Sequence, residues 1–354
     1  MSQIRLNWIA GQAFKEKQRG VPKVIAHQQW ARLFMGGLGC WIFTELVCPA
    51  FAINIRHDVP DASYLTLGAQ PQFNATVRLE VPGTDVTGTI IGDGSWVLTV
   101  AHPLDGGVTP TEVSFTKNAI TYTGTQIVLH PNWTGDLLGG NDLGLVKLNT
   151  VVTGVSPAMI YTGNGELTRI GTKVGFGDTG TGAVGSTGGQ GTLRGAQNVI
   201  DAFVSNSGTV ITTDGANSRA LFMDFDAPDS PINFLDAEGD DPPSYSGNNE
   251  ALGLEGMLNT GDSGSPLFID VGAGVWRIAG VGSATVTEEG LYGMNHPAVD
   301  ERISDYGDAG VWTRVSTSSE FILSTIPEPG SAALASIGGL ALAALWRRAR
   351  RQPR

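Results

Sequence analysis

Cysteine is almost missing from this chain of 354 residues, which has only Cys40 and Cys48. Both lie in the first 52 residues, so the rest of the chain has neither a disulfide framework nor a cysteine-based metal site. Its stability must come from a hydrophobic core, and a segment of about 270 residues is long enough to bury one.

Charged side chains are also scarce, at 16% of the sequence, and half of the 22 basic ones lie outside residues 53–326. That segment has 11 basic and 31 acidic side chains, a formal charge of about −20. A surface of this sign repels phosphate groups, which argues against a nucleic-acid partner. The same charge keeps an exported protein soluble.

Helical periodicity is rare, whereas the 49 glycines supply the positive φ angles that tight turns need. Short β-branched runs alternate with turn residues, and this spacing predicts an all-β sandwich or barrel. Examples of these runs are residues 75–79, 88–91, 96–100, 143–148 and 275–281. One short final helix is predicted over 316–324, with Ser-Ser-Glu capping its start.

The N-terminal 52 residues have the three parts of an export signal. Residues 1–32 have six Lys or Arg against one acid, residues 33–46 are apolar, and Ala50-Phe51-Ala52 is a small-x-small site. We predict a secretory signal peptide over 1–52, cleaved after Ala52. The long basic region leaves open that Met35 or another internal residue is the true start, and an ordinary N-terminal helix is the alternative.

The C-terminal residues 327–354 contain Pro-Glu-Pro, an apolar run over 330–346, and then four arginines within five residues. The run is at the lower length limit for crossing a bilayer, and the arginines would hold the tail on the cytoplasmic side. This ending resembles the PEP-CTERM sorting signal of Gram-negative bacteria. The resemblance implies a transmembrane helix, a sorting machinery at the membrane as partner, and a periplasmic, cell-surface or extracellular location. A buried core helix is the alternative.

Two irregular zones interrupt the strand pattern. Residues 175–191 are nearly half glycine and predict a long flexible loop or crossover. Residues 224–250 are rich in acids, prolines and asparagines, and clustered oxygen ligands suit Ca²⁺. However, the D-x-D-x-D-G spacing of an EF-hand is missing, so we predict a solvated acidic loop and assign no metal.

Three stretches contain residues of the kind used in nucleophilic catalysis: His102 in WVLTVAHPL, Asp142 in NDLGLVKL and Ser263 in GDSGSPLF. A serine hydroxyl is a poor nucleophile unless an imidazole takes its proton, and a carboxylate can orient that imidazole. The order and the motifs resemble the trypsin-like (chymotrypsin-fold) serine peptidases over roughly residues 72–325. One departure is Ser265, which stands where that family usually has a second glycine.

The resemblance implies two six-stranded antiparallel Greek-key β-barrels with the active site in the cleft between them. The peptidase domain is expected over 53–326, with the first barrel at about 53–165 and the second at about 166–326. His102 as base and Asp142 as its orienting carboxylate would come from the first barrel, and the nucleophile Ser263 from the second. No cofactor is expected.

The turn around Ser263 is made of small residues, which let backbone amides reach a substrate. We expect the N–H groups of Gly261 and Ser263 to form the oxyanion hole, where losing one donor costs about 3 kcal/mol of barrier. The resemblance also places Met257 at the floor of the primary specificity pocket, where an apolar side chain would favour non-basic substrates. Glu255 or Asp308 reaching that pocket is the alternative.

Asp262 precedes the predicted nucleophile. In trypsin-like relatives this acid pairs with a new N-terminal amine, and cleavage after Ala52 would create such an amine on Ile53. The hypothesis is that export activates the enzyme through this pair.

The sequence as a whole predicts an exported or envelope-anchored serine endopeptidase that acts on protein or peptide substrates through an acyl-enzyme. The alternative is a catalytically silent protein of the same fold, with a surface-binding or structural role in the envelope.

Overall fold

The computed structural model describes residues 53–205, 210–211, 214–215, 218–228, 250–286 and 304–326. The predicted signal peptide and the predicted sorting signal both lie outside these ranges, as do residues 229–249 of the acidic zone. Among the described residues, no helix combines the length and the apolar character that a membrane span requires. The described chain is mostly β, as the sequence predicts.

The chain enters through the short strand β1 (Ile53–Ile55) and the helix α1 (Asp61–Gly68) before the first barrel. The barrel has six strands: β2 (Thr76–Val81), β3 (Thr84–Ile91), β4 (Trp96–Thr99), β5 (Ser114–Lys117), β6 (Ile120–Leu129) and β7 (Gly144–Leu148). They close in the order β2-β3-β4-β7-β6-β5. In β2, exposed Arg78 and Glu80 alternate with buried apolar side chains, because successive residues of a strand face opposite sides.

Two further sheets contain β1 and the eleven strands that follow the barrel. They are β8 (Ile170–Gly175), β9 (Thr179–Thr181), β10 (Gly185–Gly188), β11 (Arg194–Val199), β12 (Ala202–Ser205), β13 (Val210–Ile211), β14 (Ser218–Asp224), β15 (Gly256–Met257), β16 (Pro266–Asp270), β17 (Trp276–Val286) and β18 (Ala309–Arg314). Eight of them form one sheet in the order β11-β8-β16-β17-β18-β14-β12-β13.

This eight-stranded sheet differs from the predicted second barrel of six strands. The short ribbon of β12 and β13 extends the sheet beyond β14, and the bulge between Gly282 and Ala284 changes the register of β17 against β18. Short edge ribbons and bulges leave little trace in a hydrophobic pattern, so the sequence did not indicate them. Among the described residues, only the six strands β2 to β7 close into a barrel.

The glycine-rich zone 175–191 is also different from the prediction of a long flexible loop. It contains the hairpin β9–β10, which joins β1 and β15 in a four-stranded sheet. A side chain at Gly180 would collide with the carbonyl of Gly185, so glycine allows the two strands to approach this closely. In this zone, the glycines allow the chain to form a regular hairpin instead of a flexible loop.

The helices in the described part of the chain are few and short. α2 (Ser319–Thr325) follows a 3₁₀ turn over Ser316–Ser318, which confirms the predicted final helix. The predicted serine cap does not form, because Ser318 makes no side-chain capping hydrogen bond. α1 was not predicted, because its eight residues show no clear apolar periodicity. Tyr64 and Leu67 are nevertheless buried, and the bidentate contact from Arg194 to Asp61 holds the first turn.

One hydrophobic cluster joins the barrel, the large sheet and α2. It includes Leu98 and Leu145 of the barrel, Phe268 and Val281 of the sheet, and Ile322 of the helix. The two halves therefore share a core, which fixes the loops at the end of β4, before β7 and before β16 relative to one another.

Candidate active site

His102 and Asp142 meet because of the pairing between β4 and β7. Thr99, the last residue of β4, lies opposite Gly144, the first residue of β7. His102 follows the first strand and Asp142 precedes the second, so an antiparallel pair brings them to one end of the barrel. His102 Nδ1 lies 2.7 Å from Asp142 Oδ2.

The Asp142 carboxylate is fully buried and receives four hydrogen bonds. Oδ1 accepts from the backbone N–H groups of Ala101 and His102, at 2.8 and 2.9 Å. Oδ2 accepts from His102 Nδ1 and from the Ser283 hydroxyl, each at 2.7 Å. Since a carboxylate only accepts, the imidazole proton on this side lies on Nδ1. The His102 side chain is 28% exposed, and its Nε2 makes no hydrogen bond to the described residues.

Ser283 was missed by the sequence reasoning. It lies in β17, and its one hydroxyl proton is shared between Asp142 Oδ2 and the Leu137 carbonyl, whose oxygen is 2.8 Å from Oγ. Its neighbours in the sequence, GVGSATV, form an ordinary strand pattern with no catalytic motif. Only the packing of β17 against the barrel shows its contact with Asp142.

The turn that contains Ser263 is fixed to both halves of the molecule. The Ser263 carbonyl accepts from Thr87 N of β3 at 2.8 Å, and Gly264 N donates to the Gly282 carbonyl of β17 at 2.8 Å. Gly282 precedes Ser283, so the turn and the His102–Asp142 pair contact neighbouring residues of one strand. In the described ranges no hydrogen bond joins the Ser263 hydroxyl to His102. Such bonds are often long in ligand-free sites.

The backbone amides of this turn fall into two groups. Those of Asp262, Gly264 and Ser265 donate to backbone carbonyls, at 2.8 to 2.9 Å. The amides of Gly261 and Ser263 have no acceptor among the described residues. These are the two amides that the sequence predicts for the oxyanion hole, and both are available to a ligand oxygen.

Asp262 is fully buried, and its carboxylate holds the turn from inside. Oδ1 accepts from Gly177 N at 2.8 Å, and Oδ2 accepts from Asn259 N at 3.0 Å. Burial raises the pKa of Asp262 to about 7, although both hydrogen bonds oppose the rise. Ile53 lies at the start of β1 and is 1% exposed. The next residue of that strand, Asn54, accepts from Asn259 Nδ2 at 2.7 Å.

The residues considered for the primary pocket are all buried. Met257 lies in β15, and its sulfur is close to where a side chain on Gly310 would be. Glu255 accepts from the backbone amides of Asp226 and Leu252, and Asp308 accepts from that of Ser304. Both carboxylates are therefore bound to backbone.

A polar pocket of about 270 Å³ opens beside Asp142. It is lined by Asn132, Thr134, Asp136, Gly139, Asn141 and Arg219. Trp133 Nε1 donates to Asp105 Oδ2 at 2.9 Å and ties one wall of the pocket to the loop of His102. The sequence reasoning did not single out these residues, because they come from a loop and from the distant strand β14.

Among the described residues, no group of three or more His, Cys, Asp or Glu side chains is arranged to hold a metal ion. Most of the acidic zone considered for calcium lies outside those residues, so that hypothesis has not been tested.

Comparison with known protein families supports the resemblance seen in the sequence. The trypsin family model matches residues 68–214, and this supports a trypsin-like serine peptidase. The matched range includes His102 and Asp142 and ends before Ser263. A search of curated proteins finds no match.

Proposed function

We propose that this protein is an exported serine endopeptidase that cleaves peptide bonds through an acyl-enzyme formed on Ser263. The observation that supports it best is the buried, four-fold hydrogen-bonded Asp142 against His102 Nδ1. The second supporting observation is that the backbone amides of Gly261 and Ser263 have no acceptor among the described residues.

In the proposed acylation, Ser263 Oγ attacks the carbonyl carbon of the substrate while His102 Nε2 takes the hydroxyl proton. The oxygen of the tetrahedral intermediate becomes negative and accepts from the amides of Gly261 and Ser263. The C–N bond then breaks as His102 returns its proton to the leaving amine. Asp142 stays ionised and stabilises the imidazolium.

Water completes the cycle by the same steps. It attacks the ester carbonyl, and His102 takes one of its protons. The bond to Ser263 Oγ then breaks, the serine regains a proton from His102, and the carboxylic acid product leaves.

Labelling with a fluorophosphonate tests the proposal, because this probe reacts with activated serines. The chain exported from a Gram-negative host should be labelled, whereas Ser263→Ala and His102→Ala should lose labelling almost completely. Ser265→Ala is the matched control, since its buried hydroxyl has no hydrogen-bond partner in the described part of the chain. Failure of the unaltered, folded protein to react would instead favour the silent binding or structural role.

The proposed location is tested separately from the chemistry. Mass spectrometry of the exported protein should find Ile53 as the first residue if the signal peptide is removed after Ala52. Deletion of residues 327–354 should release the protein from the membrane fraction. A protein that stays membrane-bound without this segment would contradict the proposed sorting signal.

A further inference from the structure

Lys173 is a buried cation that the proposed mechanism does not use. It lies in the middle of β8, is 0% exposed, and its Nζ has no hydrogen-bond partner among the described residues. Its Nζ lies over the ring of Trp312, 5.6 Å from the ring centroid. An interior ammonium is costly, and burial lowers the pKa of Lys173 to about 7.

The position of Lys173 on its strand explains what the ammonium faces. Residues two apart in a strand share a face, so Lys173 and Gly175 point the same way. A side chain at Gly175 would collide with the Asp262 carboxylate, which therefore occupies that space. Asp262 and Glu255 are both 0% exposed, and both interact electrostatically with Lys173.

The two carboxylates hold the two ends of one segment. Glu255 accepts from the backbone amides of Leu252 and Asp226. Asp262 accepts from the backbone amides of Asn259 and Gly177. Carboxylates accept more strongly when ionised, so a nearby cation strengthens all four bonds. Burial raises the pKa of each acid to about 7, and Lys173 opposes that rise in both.

We propose that Lys173 is a positioning residue, the internal counter-charge of Asp262 and Glu255 that holds the turn presenting Ser263 and its free amides. Its effect on catalysis rests on the proposed peptidase function. Its electrostatic coupling to Asp262 does not, and that coupling is measurable in the absence of activity.

This role separates Lys173 from the hypothesis that the Ile53 amine activates the enzyme. A lysine from β8 is present whether or not the chain has been cleaved after Ala52. A chain with extra residues before Ile53 should therefore keep its fluorophosphonate reactivity. Loss of reactivity in that extended chain would assign the counter-charge to the terminal amine and overturn the proposal.

The direct test is Lys173→Met in the exported chain, which removes the charge and keeps most of the side-chain volume. The labelling rate should fall at least tenfold. Lys147→Met is the matched control, because Lys147 also lies over a tryptophan, 5.8 Å from the Trp96 ring, but on the exposed side of β7. It should label within twofold of the unaltered chain. An unchanged rate in Lys173→Met would overturn the proposal.

A double-variant cycle with Asp262→Asn shows whether Lys173 acts through Asp262. We expect the changes in the urea midpoint of unfolding to be non-additive among the two single variants and the double variant. Lys173→Met should lower the midpoint less in the Asp262→Asn chain than in the unaltered chain. Additive effects would contradict the pairing. If Lys173→Met alone does not fold, the double variant should regain native circular dichroism, and failure to do so would also count against it.

The two proposals fail in different ways. Non-additive unfolding in a protein that no fluorophosphonate labels would retain the Lys173–Asp262 coupling and reject the peptidase. Normal labelling with additive unfolding would retain the peptidase and reject the coupling.

Discussion

Gly264 and Gly83 have the same backbone φ of +84° but different surroundings. A side chain on Gly264 would collide with Thr87 O and Thr99 Oγ1, whereas nothing lies within 4 Å of a side chain on Gly83. The positive φ alone disfavours alanine by about 1 to 2 kcal/mol at either position. The difference between the stability losses caused by alanine at Gly264 and at Gly83 therefore measures how closely the turn of Ser263 packs against the barrel.

We expect Gly264→Ala to lower the free energy of unfolding by more than about 3 kcal/mol, because strain and collision add. Gly83→Ala should cost only the strain, about 1 kcal/mol. Urea denaturation of both variants checks this. Equal losses would mean that the turn has room to move.

The Ser283 hydroxyl gives a second prediction for a single side chain. Ser283→Ala removes one of the four hydrogen bonds to Asp142 and should lower kcat about tenfold, which corresponds to ~1.4 kcal/mol of barrier. KM should change little, because the hydroxyl touches Asp142 rather than the substrate. Ser95→Ala is the control, since Ser95 also donates to a carboxylate, that of Asp93, in an exposed turn. A large change in KM with an unchanged kcat would argue against this role.

Individual residues were predictable where a short motif marks them and unpredictable where the chain must fold first. His102, Asp142 and Ser263 were singled out by their motifs, and the structure brings His102 and Asp142 into contact. Lys173 and Ser283 lie in ordinary strand sequences. The sequence signal for Lys173 was the presence of a lysine in the largely apolar run TKVGFG, at a position that could face inward.

Among the elements, α1 is joined to the large sheet by an ion pair as well as by the buried side chains of Tyr64 and Leu67. The Arg194 side chain is 0% exposed, and its Nε and one terminal nitrogen donate to the two oxygens of Asp61 in the first turn of α1. Removing the charge of Asp61 weakens the pairing of a fully buried guanidinium, which is more costly than the loss of a surface pair.

We therefore expect Asp61→Asn to lower the free energy of unfolding by about 3 kcal/mol. Asp85→Asn breaks the more exposed pair with Arg78 and should cost less than about 1 kcal/mol. Thermal unfolding of the two variants, at low and high salt, provides the measurement. Similar losses in both would show that Asp61 does not hold α1.

The longer elements were predictable because their apolar residues are buried on folding. The run 96–100 corresponds to β4, the run 143–148 to β7, and the run 275–281 lies in β17. The strands β9 and β10 were missed because threonine and glycine give no hydrophobic signal. Their order depends on β1, which lies more than a hundred residues earlier in the chain.

Across the molecule as a whole, buried acids make stability depend on pH. Burial raises the folded-state pKa of Glu255 from 4.5 to about 7. Between these values the unfolded chain has lost the proton and the folded chain retains it, so stability falls as pH rises through this window. The usual sign for a salt-bridged carboxylate is the opposite.

Glu255→Gln should remove this dependence. The free energy of unfolding of the unaltered chain, minus that of the variant, should be larger at pH 5 than at pH 8 by on the order of 2 kcal/mol. Glu112→Gln is the control, because hydrogen bonds from Thr109 lower the pKa of that exposed acid, and its titration lies below this window. A difference that grows toward pH 8 would contradict the raised pKa of Glu255.

His102 and Asp142 come from the barrel, whereas Ser263 lies between the later strands β15 and β16. The ribosome therefore synthesises Ser263 more than a hundred residues after Asp142. Under the proposed mechanism, a nascent or truncated polypeptide that ends before Ser263 has no nucleophile and cannot cleave its neighbours.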